Sequence, residues 1–136
     1  MIDIRYSKLI DKLIEKTNNK QAIWKKTPSS EFRLDFKSGV ITTDIWTEEY
    51  SDVVNMTIYN DDGEKIDQLT FCDARDRNDY DILIRLYQTV KRNYLKVDET
   101  IGGMLRELSS EEPIGNNDIK ENKNVSEPDG FDDIPF

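Results

Sequence analysis

The chain has 136 residues, of which 36 % are hydrophobic and 35 % charged, and a formal net charge of −9. That length holds one domain and an appendage; the single cysteine, Cys72, excludes an internal disulfide, and a chain without histidine lacks the commonest general base and the commonest transition-metal ligand. Met1-Ile2-Asp3-Ile4-Arg5 leads straight into an amphipathic pattern, and no apolar run nears the roughly 18 residues of a membrane helix, so the expectation is a cytoplasmic protein with no membrane partner and no cofactor.

Ile4 to Lys16 carries Ile4, Leu9, Ile10, Leu13 and Ile14 at helical spacing, with charged residues between them, and predicts an amphipathic helix. Asp3 suits its N-cap, and Thr17-Asn18-Asn19-Lys20 ends it. A single apolar stripe implies packing on another element, here a sheet. Trp24 then precedes Lys25-Lys26-Thr27-Pro28. It reads as an aromatic filling the gap between helix and sheet, with a base-stacking platform beside two lysines as the alternative.

Four strand-like runs follow. Residues 31–36 alternate strictly, with Phe32, Leu34 and Phe36 on one face. Residues 40–46 are rich in β-branched side chains, residues 53–59 form a third run, and residues 65–71 a fourth. Lys37-Ser38-Gly39 is a tight turn, Thr47 to Asp52 a polar loop, and Asn60-Asp61-Asp62-Gly63 a hairpin turn, because Asp-Gly readily adopts positive φ. Short connections imply an antiparallel meander with one buried and one wet face. Tyr80, Leu83, Ile84, Leu86, Tyr87, Val90 and Tyr94 then mark a long helix. Val97-Asp98-Glu99-Thr100 interrupts the pattern, and Ile101 to Leu108 makes a short helix weakened by Gly102-Gly103. The fold class expected for residues 1–108 is α+β: an N-terminal helix, a four-stranded antiparallel meander, and C-terminal helices packed on one sheet face.

The chemistry changes at Ser109. Residues 1–108 hold 17 Lys and Arg against 20 Asp and Glu, while residues 109–136 hold 2 against 8. The second segment is too polar to offset its ordering entropy and reads as a disordered acidic tail. As a random coil, its stretch of about twenty residues before the end reaches roughly 25 Å. It closes on Phe131-Asp132-Asp133-Ile134-Pro135-Phe136. Pro135 restricts the backbone before an aromatic tip, which lowers the entropy lost on docking, and Asp132 and Asp133 steer the tip toward a basic surface.

The body offers little catalytic chemistry. Asp73, Asp76, Asp79 and Asp81 cluster around Arg75 and Arg77. Clustered carboxylates can hold Mg²⁺, but acids also suit a helix N-terminus, and the spacing favours that structural reading. Asp61-Asp62-Gly63 lacks the alternating acids of a calcium loop. A nucleic-acid surface has a second set of candidates: Trp24, Lys25, Lys26, Arg33, Lys37 and Trp46, which put aromatic rings and cations on or beside the predicted strands.

Residues 131–136 resemble the C-terminal tip of bacterial single-stranded DNA-binding proteins, which end in acids followed by Ile-Pro-Phe or Leu-Pro-Phe. This chain has two consecutive acids before Ile134 where that family often has three, and Gly130 where a further acid is common. The resemblance implies a docking tip for DNA replication, repair and recombination proteins. Phe136 and Pro135 would be the anchors, Ile134 their support, Phe131 part of the approach, and Asp132 and Asp133 the source of attraction. A host protein could use it to recruit such enzymes; a phage or mobile-element product could use it to inhibit them competitively. The alternative is a divergent single-stranded DNA-binding protein whose body binds the strand, although the meander does not resemble that family's barrel. The body itself resembles, loosely, a small uncharacterised bacterial α-β-meander-α domain, through Trp24-Lys25-Lys26-Thr27, the hairpin at Asn60-Asp61-Asp62-Gly63, Leu86-Tyr87 and Val97-Asp98-Glu99-Thr100-Ile101. That resemblance implies a fold and no activity.

Overall fold

A computed structural model describes residues 2–115. Its elements run α1 (Ile4–Asn18), β1 (Lys25–Lys26), β2 (Phe32–Asp35), β3 (Gly39–Glu48), β4 (Ser51–Asn60), β5 (Lys65–Cys72), α2 (Arg77–Tyr94) and α3 (Val97–Ser109). The chain divides into two units, Met1–Asp98 and Glu99–Phe136.

The expected α+β class and antiparallel meander are present, with five strands in the order β1-β2-β3-β4-β5 where four were expected. The extra strand is Lys25–Lys26, which pairs with Arg33 and Phe32 of β2. Two residues are too few to show an alternation, so only the neighbouring strand reveals them. The expected polar loop over Thr47 to Asp52 is also replaced by structure. β3 and β4 stay paired from Gly39↔Asn60 out to Glu48↔Ser51. Only Glu49 and Tyr50 turn, at φ 29° and 70°. Such turns usually announce themselves by glycine or asparagine, and here neither residue does. The hairpin at residues 60–63 matches its signal: Gly63 has φ 83°, and the Asn60 Oδ1 accepts from the backbone N–H of Asp62 and of Glu64 at 3.0 Å each.

The two-residue period of the strands sorts their side chains onto two faces. Phe32, Leu34, Ile41, Thr43, Val54, Met56, Leu69 and Phe71 share one face by register. α2 lies against that face and against α1. This explains why α2 buries Leu86 as well as the stripe Tyr80, Leu83, Ile84, Tyr87 and Val90: it is covered on two sides. α1 presents the narrower stripe Ile10, Leu13 and Thr17. Met56, Val54, Leu83, Leu86, Val90 and Ile10 have no exposed surface. The Phe32 ring meets the rings of Tyr87 and Tyr94 at 5.7 and 5.3 Å between centroids, joining β2 to α2. At the other side of the sheet, the Tyr6 hydroxyl donates to the Asp67 carboxylate and ties α1 to β5.

α3 starts four residues earlier than the pattern predicted, at Val97. The break is confined to Leu95 and Lys96, with Lys96 at φ 56°, so Val97-Asp98-Glu99-Thr100 is the first turn of α3 and not a gap. The expectation that both C-terminal helices bury an apolar stripe holds for α2 alone. α3 has no buried residue, and Ile101, Met104, Leu105 and Leu108 are exposed.

Thr17 joins three parts of the first unit. Its hydroxyl donates to the Leu13 carbonyl oxygen at 2.7 Å and accepts from the Trp24 indole N–H at 3.0 Å, and its carbonyl oxygen accepts from the Asn93 side chain at 3.1 Å. Substituting Thr17→Val keeps the shape and removes the acceptor, leaving the buried indole N–H unpaired. The expected cost is about 1–3 kcal/mol, read as a lower urea midpoint at unchanged slope. An unchanged midpoint would show that the indole finds another acceptor.

Candidate functional site

The face of the sheet turned away from α1 and α2 is set by the same register. Across β2, β3, β4 and β5, one row reads Arg33, Thr42, Thr57 and Gln68, with Lys25 of β1 beside Arg33. On one side of it lies the row Asp44, Asn55 and Thr70; on the other lie Asp35, Val40, Tyr59 and Lys65. Trp46, Val53 and Cys72 form a further row. We call this the outer face.

Its centre is polar and nevertheless buried. Thr42, Asn55 and Thr57 are 4–5 % exposed. Short side chains on central strands sit below the longer ones in flanking positions. Buried polar groups of this kind need partners, and Asn55 has a full set. Its Nδ2 donates to Asp44 Oδ1 at 3.0 Å and to Thr57 Oγ1 at 3.1 Å; its Oδ1 accepts from Gln68 Nε2 at 2.8 Å and Thr70 Oγ1 at 2.7 Å. Thr42 is different: its Oγ1 is buried and has no hydrogen-bond partner among the described residues. A buried hydroxyl in that state costs about 1–3 kcal/mol. It lines a hollow of about 280 Å³, together with Thr27, Glu31, Arg33, Val40 and Tyr59.

The residues singled out for nucleic-acid contact do not form one platform. Trp24 is buried at 5 % exposure, with its N–H spent on Thr17, so its ring is a packing group between α1 and the sheet and has no face free for a base. Lys25 and Arg33 lie on the outer face and both reach Asp35, through Lys25 Nζ at 3.4 Å and Arg33 Nε at 2.7 Å. Lys26 follows on the opposite pleat, opposite Phe32, and Lys37 belongs to the β2–β3 turn. Trp46 is on the outer face, two rows from Arg33, and its indole N–H donates to Glu48 at 3.0 Å. The structure thus brings Lys25 and Arg33 together and leaves Lys26, Lys37, Trp24 and Trp46 apart from them. Glu31 and Thr42 enter the site unannounced, while Tyr59 was among the strand aromatics expected as possible base-stacking groups. Alternation over Val40, Thr42 and Asp44 marks their common face, but it carries no sign that Thr42 is buried there.

The acidic cluster around the start of α2 is accounted for locally. Asp73 accepts from the Asp52 N–H at 3.2 Å, Asp76 from the Cys72 N–H at 3.1 Å, Asp79 from the Ile2 N–H at 3.3 Å, and Asp81 pairs with Arg77 at 3.1 Å. Among the described residues no group of three or more His, Cys, Asp or Glu side chains is placed to hold a metal ion. Cys72 is buried at the end of β5, and the backbone N–H of Ala74 leads the interactions that hold its thiol below the ordinary cysteine value. No helix among the described residues is long and apolar enough to cross a membrane. Residues 131–136, the predicted docking tip, lie outside the described residues.

No protein-family model, curated protein or solved structure was found that matches the chain.

Asp35 supplies a test of the outer-face charges. The hydrogen bond from Arg33 holds its carboxyl below the ordinary aspartate value, with Lys25 adding to the effect. A depressed folded value means that the pairing is fully present above the ordinary aspartate range and is lost as pH falls through the folded value. Replacing Arg33→Met is expected to move the Asp35 titration up toward the ordinary range, followed by carboxyl NMR. The pair is exposed, so global stability should change little. An unshifted Asp35 titration would show that Arg33 does not hold it.

Proposed function

We propose that this is a non-catalytic interaction protein whose residues 131–136 dock onto DNA replication, repair or recombination proteins that recognise the tips of single-stranded DNA-binding proteins. The observation that carries the reading is the sequence Phe131-Asp132-Asp133-Ile134-Pro135-Phe136, acids followed by a proline-stiffened apolar end. In such a mode, Phe136 and Pro135 fill an apolar pocket. Ile134 adds apolar contact, while Asp132 and Asp133 meet a basic rim. The two acids chiefly raise the encounter rate and make binding salt-sensitive; the apolar anchors chiefly slow dissociation. The charge division supports this arrangement, since the acidity is concentrated in residues 109–136 and the body is nearly balanced.

Docking of this kind either recruits the partner or displaces its usual ligand. Both outcomes use the same contacts, so both depend on the tip. With a purified protein that binds single-stranded DNA-binding protein tips, the full chain should bind and should compete with a labelled tip peptide. Deleting Pro135 and Phe136 should weaken binding by more than about tenfold, equivalent to about 1.4 kcal/mol. Thermal unfolding of the body should not move. Converting Asp132 and Asp133 to asparagine should weaken binding less and flatten its salt dependence. Equal binding by the full and tipless chains would overturn the proposal. If, in addition, an oligo-dT strand bound the body with steep salt dependence, the single-stranded DNA-binding reading would replace it.

A further inference from the structure

Two apolar surfaces of this chain are left bare. One is α3, whose Ile101, Met104, Leu105 and Leu108 recur at helical spacing and are 48–68 % exposed. A helix of 13 residues with Gly102 and Gly103 inside it gains too few backbone bonds to persist in water by itself, so its apolar stripe calls for a cover. The rest of its surface is acidic: residues 97–112 hold five Asp and Glu against Arg106 alone. The other bare surface runs along α1. A hollow of about 520 Å³ is lined by Leu13, Ile23 and Leu34 together with the cations Lys16 and Lys25. A second, of about 260 Å³, is lined by Leu9, Ile41, Ile58 and Ile66. Phe36 belongs to both, so the two hollows form one groove. Ile23, Phe36 and Ile66 are exposed in it. Asp35 also lines the groove, but its carboxylate is already met by Arg33 and Lys25.

These two surfaces match in length, in apolar character and in charge. Leu9, Leu13 and Lys16 follow one another by about a turn along α1, and the rise from Leu9 to Lys16 is about 10 Å. The rise from Ile101 to Leu108 along α3 is the same. An apolar stripe two turns long is what such a groove takes, as amphipathic helices do in other grooves. The acids of α3 and of the residues after it then come near Lys16 and Lys25, which favours this pairing over others. Pairing α3 with α3 of another copy would also cover the stripes, but it would set two acidic helices side by side, and like charges oppose that.

We propose that two copies of this chain form a two-fold dimer in which α3 of each lies in the α1 groove of the other. Two reciprocal contacts close the pair and leave neither stripe bare. Sedimentation of the full chain should give twice the 15.9 kDa of one copy. The dissociation constant should lie below about 50 μM. Leu105→Glu on α3 and Ile66→Glu in the groove should each raise it by more than about tenfold, because each variant spoils both contacts. Mixed in equal amounts, the two variants should associate again, through the one contact whose two surfaces are both intact. Leu105 and Ile66 are exposed, so at concentrations where the parent is a monomer both variants should unfold at the parent's temperature. Deleting Pro135 and Phe136 should leave the dimer in place, which separates this proposal from the docking tip. A monomer at about 200 μM would overturn the proposal, as would a mass that keeps rising past two copies. A dimer that Leu105→Glu breaks and Ile66→Glu spares would show α3 against α3 instead. Variants that do not recover on mixing would also overturn it, and loss of the dimer with Pro135 and Phe136 would assign the groove to the tip.

Discussion

The pairing of β3 with β4 is the constraint on which the body rests. These two strands run together without a slip from Gly39↔Asn60 to Glu48↔Ser51. A shift of one residue would exchange the faces of every side chain on them. Met56 and Val54 would leave the helices, and Asn55 and Thr57 would enter an apolar core with their partners gone. Gly39 helps to hold the register: a Cβ there would sit 2.1 Å from the Tyr59 carbonyl oxygen, so only glycine allows the strands to approach at that end. The opposite end is held by the two-residue turn at Glu49 and Tyr50.

Once the register is set, the two faces meet different demands. One is covered by α2 and α1 and buries Phe32, Ile41, Val54 and Met56. The other satisfies its central polar groups from within the sheet, through Asn55 and its four side-chain neighbours. The same pleat that assembles this network also places Thr42 one row away, beside Val40 and next to Arg33, where no partner among the described residues reaches its hydroxyl. The outer-face hollow and the core are thus two consequences of one pairing pattern.

The tip and the outer-face hollow draw on the chain in different ways. The proposed tip would depend on six residues in fixed order and on their local chemistry, a proline-stiffened apolar stretch and two acids. The outer-face hollow depends wholly on the fold, since Glu31, Arg33, Thr42 and Tyr59 come from β2, the residue before it, β3 and β4.

Periodicity made much of the body legible. The apolar stripes of α1 and α2, the alternation of β2, and the Asn60-Asp61-Asp62-Gly63 turn were all readable because each is a local pattern of several residues. Where the signal was short or non-local, reading failed. Lys25–Lys26 is too brief to show a period, Glu49–Tyr50 turns without the usual residues, and Val97-Asp98-Glu99-Thr100 looks like an interruption yet is helical. Trp24 and Trp46 looked alike as aromatics near cations, and burial separated them: one is locked against Thr17, the other lies on the outer face. Composition and local spacing alone were enough for the α+β class, the antiparallel meander and the apolar stripes of α1 and α2, because each of these is a pattern within one stretch of chain. The fold, and not the sequence, shows that the Thr42 hydroxyl is buried without a partner among the described residues and that Glu31, Arg33 and Tyr59 line the same hollow, because hydrogen-bond satisfaction is settled between strands and cannot be read along one.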